Sequence, residues 1–275
     1  MLIASPKSGK GDNWEVSETL TQSDIEAGLH QLGVKAGDVL EVHTALSKFG
    51  QVEAGAKTVV DALFSVVGPS GAIVMSAYPI SKGRPLSQSD IAKGITYKAE
   101  HLSEDSNEAT NVGAVVDEFR RRPDVILGKG VHRGAAWGSD AELHSCGYEH
   151  LLKVGGKVLL MGVGIGNCSS MHIPLERIGL PVGISALSKL PGDVLDEYPD
   201  DKWYVECSRV VGTPRNAWEV VWGEALLAGL VRSGKIGESA CHLFTARDVV
   251  GIYERHLLSD PWTLYGVPHS SIKYA

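Results

Sequence analysis

Apolar residues recur at helical spacing in some segments of the chain and form short continuous runs in others. The first helical segment begins near Thr21 and carries Ile25, Leu29 and Leu32 on one face before Gly33 ends it. The segments predicted after it are a strand at 39–43, an amphipathic helix at 58–67 and a strand at 71–75. Strands that alternate with helices in this way are typical of an α/β domain, in which helices pack on a sheet.

The same alternation continues through the second half, so the whole sequence, 1–275, is predicted to form a single domain. Its predicted elements are a helix at 111–122, short strands near 125–127 and 134–137, a helix near 148–154, a buried strand at 157–163, a strand at 203–207, and helices at 218–233 and 246–257. No linker in the sequence separates two folding units. We therefore expect an α/β fold with a central mixed β-sheet flanked by helices.

The segment 79–110 differs in composition from the rest of the chain. Ser, Lys, Gly, Pro, Asp and Glu dominate it, and its hydrophobic periodicity fades. A long irregular stretch inside a compact domain is commonly a lid or a binding loop. We predict that this segment is an irregular substrate loop.

Charge and composition narrow the classes of function. The 275 residues include 33 acidic and 26 basic ones, for a net charge of −7, whereas nucleic-acid binding needs a clustered basic face. The longest apolar runs are too short to span a bilayer, and the first residues do not resemble a secretory signal. The cysteines lack the two-residue spacing of zinc motifs. We expect a cytoplasmic protein with no nucleic-acid, membrane or metal partner.

Two loops that follow predicted strands carry polar residues suited to catalysis. One contains His43 at the end of its strand, and in the other a buried strand leads through glycines and small hydroxyl residues to His172. Ligands of α/β folds collect at the carboxyl ends of strands, so both loops are candidate binding sites. His172 is a candidate general base. The sequence leaves open two orienting carboxylates for it, Glu176 four residues on and Glu206 on a later strand.

These motifs, in this order, resemble those of the aminoglycoside 3-N-acetyltransferase family over residues 21–248. The family's first hallmarks are Val-His-Ser-Ser-Leu, then Val-Val-x-Ala-Leu, then Val-Gly-Pro-x-Gly-Thr-Leu-Val-Met-Pro. The matching stretches here are Val42-His43-Thr44-Ala45-Leu46, Val59-Val60-Asp61-Ala62-Leu63 and Val67-Gly68-Pro69-Ser70-Gly71-Ala72-Ile73-Val74-Met75-Ser76. Further matches are Phe119-Arg120-Arg121-Arg122-Pro123, Ala135-Ala136-Trp137-Gly138 and the stretch 156–164, followed by a histidine after small polar residues.

The resemblance implies an acetyl-CoA-dependent N-acetyltransferase that needs no metal and confers antibiotic resistance by direct transfer to an amine. It implies that His172 is the base, with Glu206 as its carboxylate partner in preference to Glu176. It implies that the coenzyme binds along one segment of the first motif, namely His43, Thr44, Ala45, Leu46 and Ser47. Backbone amides near Ser169 and Ser170 would hold the coenzyme and the developing oxyanion. The expected partner is a small cationic amine such as an aminoglycoside, bound by a monomer or homodimer.

Three alternatives remain at the level of sequence. Cys168, four residues before His172, makes a thiol hydrolase or an acyl-enzyme transferase conceivable. A non-catalytic family member would bind coenzyme A or a small cation without turnover. An acetyltransferase could also act on an amine other than an aminoglycoside.

Overall fold

The protein was analysed as a computed structural model that describes residues 19–103, 106–130, 132–181, 184, 186–187, 196–209 and 214–267. Its strands are β1 Val39–Thr44, β2 Ala72–Ser76, β3 Tyr97–Glu100, β4 Ile126–Leu127, β5 Gly134–Gly138, β6 Lys157–Met161, β7 Ala186–Leu187, β8 Trp203–Glu206, β9 Ser208–Arg209, β10 Arg232–Ile236 and β11 Ser239–Thr245. Its helices are α1 Gln22–Leu32, α2 Ala56–Val67, α3 Gln88–Ala92, α4 Ala114–Phe119, α5 Ala141–Ser145, α6 Glu149–Lys153, α7 Ile173–Ile178, α8 Pro214–Leu227, α9 Ala246–Ser259 and α10 Pro261–Leu264.

Seven of these strands form a central mixed sheet in the order β10-β11-β6-β1-β2-β5-β4. β1 runs parallel to both β2 and β6, whereas the outer strands join them in antiparallel pairs. β6, β1 and β2 therefore deliver their carboxyl ends to the same edge of the sheet. The predicted α/β fold with a mixed sheet is confirmed.

Helices cover both faces of the sheet, so its central strands are buried on both sides. In β6, Leu159 and Met161 pack into a core shared with α1, α2 and α4. Val158 and Leu160 point the other way, into a core built with α6 to α9. Each fully buried side chain of this kind contributes roughly 1.5–3 kcal/mol of hydrophobic stabilisation.

The helix predicted at 218–233 is too long. α8 ends at Leu227, and Gly229, with φ 69°, turns the chain into β10. β10 reads Arg-Ser-Gly-Lys-Ile and lacks apolar alternation, so its sequence gives no strand signal. Its backbone hydrogen bonds to β11 hold it in the sheet instead.

The segment 79–110 is more regular than its composition predicts. A capping box opens α3, since Ser87 Oγ accepts from the Asp90 amide and Asp90 Oδ2 accepts from the Ser87 amide. β3 follows and pairs with β8 in a separate two-stranded ribbon. Among the described residues, every helix is too short or too polar to cross a membrane.

Candidate active site

The carboxyl edge of β1, β2 and β6 brings the two predicted loops together. β1 leads into a 3₁₀ turn at Leu46–Lys48, and β6 leads through glycines into a second turn at Ser169–His172. Ala45 N–H donates to Met161 O at 3.0 Å, which ties the first loop to the end of β6. Gly162, with φ 70°, lets the two loops pack closely together, because a Cβ there would lie 2.5 Å from Lys48 Cβ.

Glu41 and His43 form a hydrogen-bonded pair on one face of β1. Their side chains share a face because strand residues alternate, and His43 Nε2 lies 2.7 Å from Glu41 Oε1. The Glu41 side chain is fully buried. Burial alone would raise the pKa of Glu41, but the hydrogen bonds from His43 and Ser170 bring it below its ordinary value. Glu41 is therefore an ionised carboxylate at neutral pH, and His43 Nε2 carries the proton that it donates.

The same carboxylate oxygen also accepts hydrogen bonds from the second loop. The amides of Ser169 and Ser170 donate to Glu41 Oε1 at 2.6 and 3.1 Å. Sequence reasoning missed Glu41. Its signal was a charged residue two positions before His43 in an otherwise apolar strand.

Hydroxyl groups extend this buried polar network between β2 and α6. Ser76 Oγ lies 2.8 Å from Tyr148 OH and 2.7 Å from Ser169 Oγ. Burial, with the nearby charge of Glu41, raises the pKa of Tyr148 well above its ordinary value. Tyr148 is therefore a neutral phenol that can donate a hydrogen bond. Neither Ser76 nor Tyr148 stood out in the sequence, because they lie in different elements.

His172 lies at the rim of this edge, with part of its side chain exposed. Its ring packs edge-on against Trp218 of α8, with ring centroids 4.9 Å apart. Desolvation and the neighbouring imidazole of His132 lower the pKa of His172, whereas the charge of Glu41 opposes that shift. The ring is therefore neutral near pH 7 and able to accept a proton.

Among the described residues, neither predicted orienting carboxylate makes a hydrogen bond or ion pair with His172. Glu176 is exposed on α7, and within the described ranges it makes no hydrogen bond or ion pair. Glu206 is exposed at the end of β8 and accepts a hydrogen bond from Tyr204 OH at 2.8 Å. Tyr204 packs edge-on against His132 at 5.9 Å, and His132 acts electrostatically on His172. The structure thus relates Glu206 to His172 only through two intervening rings.

The predicted coenzyme-binding residues fall into two groups. Thr44, Ala45 and Leu46 are half-buried along the rim with His43, and Ser47 is exposed. Ser169 and Ser170 are buried instead. Because the amides of Ser169 and Ser170 donate to Glu41, they are not available for an oxyanion, contrary to the sequence-based expectation. Coenzyme binding by both groups stays a prediction.

Cys168 does not have the surroundings of a nucleophile. It is fully buried, and its Sγ lies 3.2 Å from Ser170 Oγ. Burial and the charge of Glu41 raise the pKa of Cys168 well above its ordinary value. A reactive cysteine needs a stabilised, accessible thiolate, so the burial of Cys168 argues against the hypothesis of thiol chemistry there.

Aromatic and imidazole rings line the other side of the rim, next to the predicted substrate loop. His132 packs edge-on against Tyr78 at 5.2 Å, and Tyr204 contacts Tyr97 at 6.1 Å and His101 at 6.4 Å. Burial, then the hydrogen bond to Glu206, raises the pKa of Tyr204, so that its hydroxyl remains a donor. This wall joins the β3–β8 ribbon to the edge that carries His172.

Solved structures of other proteins share this architecture. AAC(3)-IVa, solved as an apoenzyme, aligns with a TM-score of 0.67 and 21% identity over 91% of this chain and 92% of its own. AAC-IIIb, solved as a binary complex with CoASH, aligns with a TM-score of 0.66 and 20% identity over 91% of this chain and 99% of its own. At this level of identity, both comparisons establish the fold.

Sequence comparisons identify the family. Aminoglycoside N(3)-acetyltransferase III of a Salmonella species is 28% identical over 258 residues, covering 84% of this chain and 88% of that protein. Type VII from Streptomyces paromomycinus is 26% identical over 267 residues, covering 84% and 89%. The family model for aminoglycoside 3-N-acetyltransferase matches residues 42–257. With most of its length matched, the chain belongs to the aminoglycoside 3-N-acetyltransferase family of acyltransferases.

Proposed function

We propose that this protein transfers the acetyl group of acetyl-CoA to an amino group of an aminoglycoside-like small molecule, with His172 as the general base. The observation that carries the proposal is His172 itself. It lies at the carboxyl edge of the parallel strands, its ring is partly exposed, and its surroundings lower its pKa. A neutral imidazole at a ligand-binding edge is suited to removing a proton.

The acceptor attacks as the neutral amine, because a protonated amine is a poor nucleophile. His172 would accept the proton of the amine as the nitrogen attacks the thioester carbonyl, and the carbon–sulfur bond then breaks to release the coenzyme. The imidazolium that forms can return the proton to the departing thiolate. No acyl-enzyme is needed, which agrees with the buried, protonated thiol of Cys168.

The two substrates would approach from opposite sides of His172. The rim residues from His43 to Ser47 are the proposed contact for the coenzyme, which AAC-IIIb holds as CoASH in its own structure. The wall of Tyr78, His132 and Tyr204 is the proposed contact for the acceptor. AAC(3)-IVa has been solved with apramycin and AAC-VIa with sisomicin, and we extend the acceptor class from those proteins to this one.

Glu206 remains the proposed carboxylate partner, acting on His172 through Tyr204 and His132. Its exposed position on the acceptor side also suits a cationic amine, as does the net charge of −7. Glu176 is the second candidate, on the exposed surface of α7.

Turnover with acetyl-CoA and a panel of aminoglycosides and simpler amines tests the proposal, with release of the coenzyme thiol as the readout. His172→Ala should lower kcat by roughly 10²–10⁴-fold while acetyl-CoA still binds, as measured by calorimetry. His30→Ala, an exposed histidine of α1, is the matched control and should keep the wild-type rate.

The outcomes separate the competing hypotheses. Coenzyme binding without turnover on any amine would favour a non-catalytic family member. Turnover confined to amines outside the aminoglycosides would change the acceptor and keep the chemistry. Absence of both coenzyme binding and turnover would refute the proposal.

A further inference from the structure

One oxygen of Glu41 holds together two segments that meet at the active site. Glu41 Oε1 accepts from His43 Nε2 on its own strand and from the Ser169 and Ser170 amides of the loop after β6. These two segments lie far apart in the chain, since Glu41 and Ser169 are 128 positions apart. A fully buried carboxylate therefore links the two segments, in addition to the hydrogen bond from Ala45 N–H to Met161 O.

The tether ends close to the proposed base. Ser169, Ser170 and His172 belong to the same short 3₁₀ turn, Ser169–His172. The first two amides of that turn are fixed by Glu41, and the ring at its end packs on Trp218. Holding both ends of so short a turn leaves His172 little room to move relative to β1.

The position of the proton on His43 follows from the ionised state of Glu41, which is the acceptor. An ionised carboxylate only accepts hydrogen bonds, so the 2.7 Å contact requires the proton on His43 Nε2. The Ser169 amide also lies 3.3 Å from that nitrogen, but a protonated nitrogen is not an acceptor, which leaves Glu41 as the acceptor of this amide. Glu41 thus fixes the ring orientation of His43 as well as the loop of His172.

We propose that Glu41 is a positioning residue, which sets the location of His172 relative to the coenzyme rim by binding His43 and the Ser169–Ser170 backbone. The inference rests on the proposed function, in which His172 and the His43 rim flank the reacting thioester. Misplacing a catalytic group by about 1 Å can cost roughly 10²-fold in rate, so loss of this buried tether should lower the rate of catalysis.

The charge of Glu41 has a second consequence that a purely structural role would lack. The charged and titratable groups that act on His172 are Glu41 and His43 from β1 and His132 from the segment before β5. Glu41 is the one that favours protonated His172. Removing its charge should therefore lower the pKa of His172, without contact between the two side chains.

Two substitutions separate the tether from the charge. Glu41→Asp keeps the charge but withdraws the carboxylate by one methylene, so kcat should fall roughly 10–100-fold while KM for acetyl-CoA stays within about 3-fold. Glu41→Gln keeps the shape and removes the charge, so the imidazole NMR titration of His172 should move to lower pH. Asp38→Asn, at the opposite end of β1 and paired with Lys157, is the control and should change neither readout.

Results of three kinds would overturn the inference. They are an unchanged kcat in Glu41→Asp, an unchanged His172 titration in Glu41→Gln, or fast amide exchange at Ser169 and Ser170 in the wild-type chain. The exchange measurement keeps the test open if either variant fails to fold. The titration and the exchange need no turnover, so absence of activity in the wild type would count against the proposed function and not against Glu41.

Discussion

A double-mutant cycle on Glu41 and His43 measures whether the buried pair stabilises the fold. The perturbations are His43→Ala, Glu41→Gln and the two together, each compared with the wild type in urea-induced unfolding at pH 7. His43→Ala removes a 2.7 Å hydrogen bond to a fully buried carboxylate. A hydrogen bond to a charged group is worth about 1.5–3 kcal/mol, and the truncated ring adds a packing loss. We expect His43→Ala to lower the free energy of unfolding by roughly 2–5 kcal/mol.

The interaction energy from the cycle should be about 1.5–3 kcal/mol, because the double mutant no longer buries an incompletely satisfied charge. Its pH dependence follows from the lowered pKa of Glu41 in the folded state. The stabilisation is fully present above the ordinary value of 4.5 and is lost as the pH falls through the folded-state pKa. An interaction energy below about 0.5 kcal/mol at pH 7 would refute the reasoning, since pairs at that level contribute as little as exposed ones.

Three further predictions concern the active site. Glu206→Gln should depress turnover and reshape the pH–rate profile, whereas Glu176→Gln should behave as a mild structural change. If the two variants had the same turnover rate, Glu206 would have no special part in the mechanism. The acidic limb of kcat/KM should have its midpoint below 6.5, because the pKa of His172 is lowered from that value, and a midpoint above it would point to another base. Cys168→Ala should keep turnover within about 3-fold, and iodoacetamide should label the exposed Cys146 but not Cys168, as peptide mass spectrometry can test.

The candidate site could be proposed from the sequence because its loops follow strands with strong hydrophobic signals. β2 and β6 are largely apolar runs, β1 is apolar apart from Glu41 up to Val42, and His43 and His172 come where these strands give way to polar residues. Parallel strands put these ends at a common edge, so proximity of the two loops followed from the predicted fold. The family resemblance, confirmed by the match over residues 42–257, supplied the chemistry.

Contacts inside the site could not be predicted in the same way. Nothing near Glu41 in the sequence says that its carboxylate binds the amides of Ser169 and Ser170, because that contact depends on the register of β1 against β6. The same register turned two amides expected to hold an oxyanion toward the protein interior. The fold also buried Cys168 beside the charge of Glu41, and both effects raise the pKa of this thiol.

The sequence by itself determined the elements whose hydrophobic period is strong, the sheet edge that carries the candidate site and the membership of a family. Tertiary structure alone decided β10, whose residues have no apolar alternation and which is held by backbone pairing with β11. It also brought the buried charge of Glu41 within electrostatic range of His172. The physical reason is range: periodicity and capping act between residues a few positions apart, whereas hydrogen bonds, burial and charge depend on which distant segments the fold brings together.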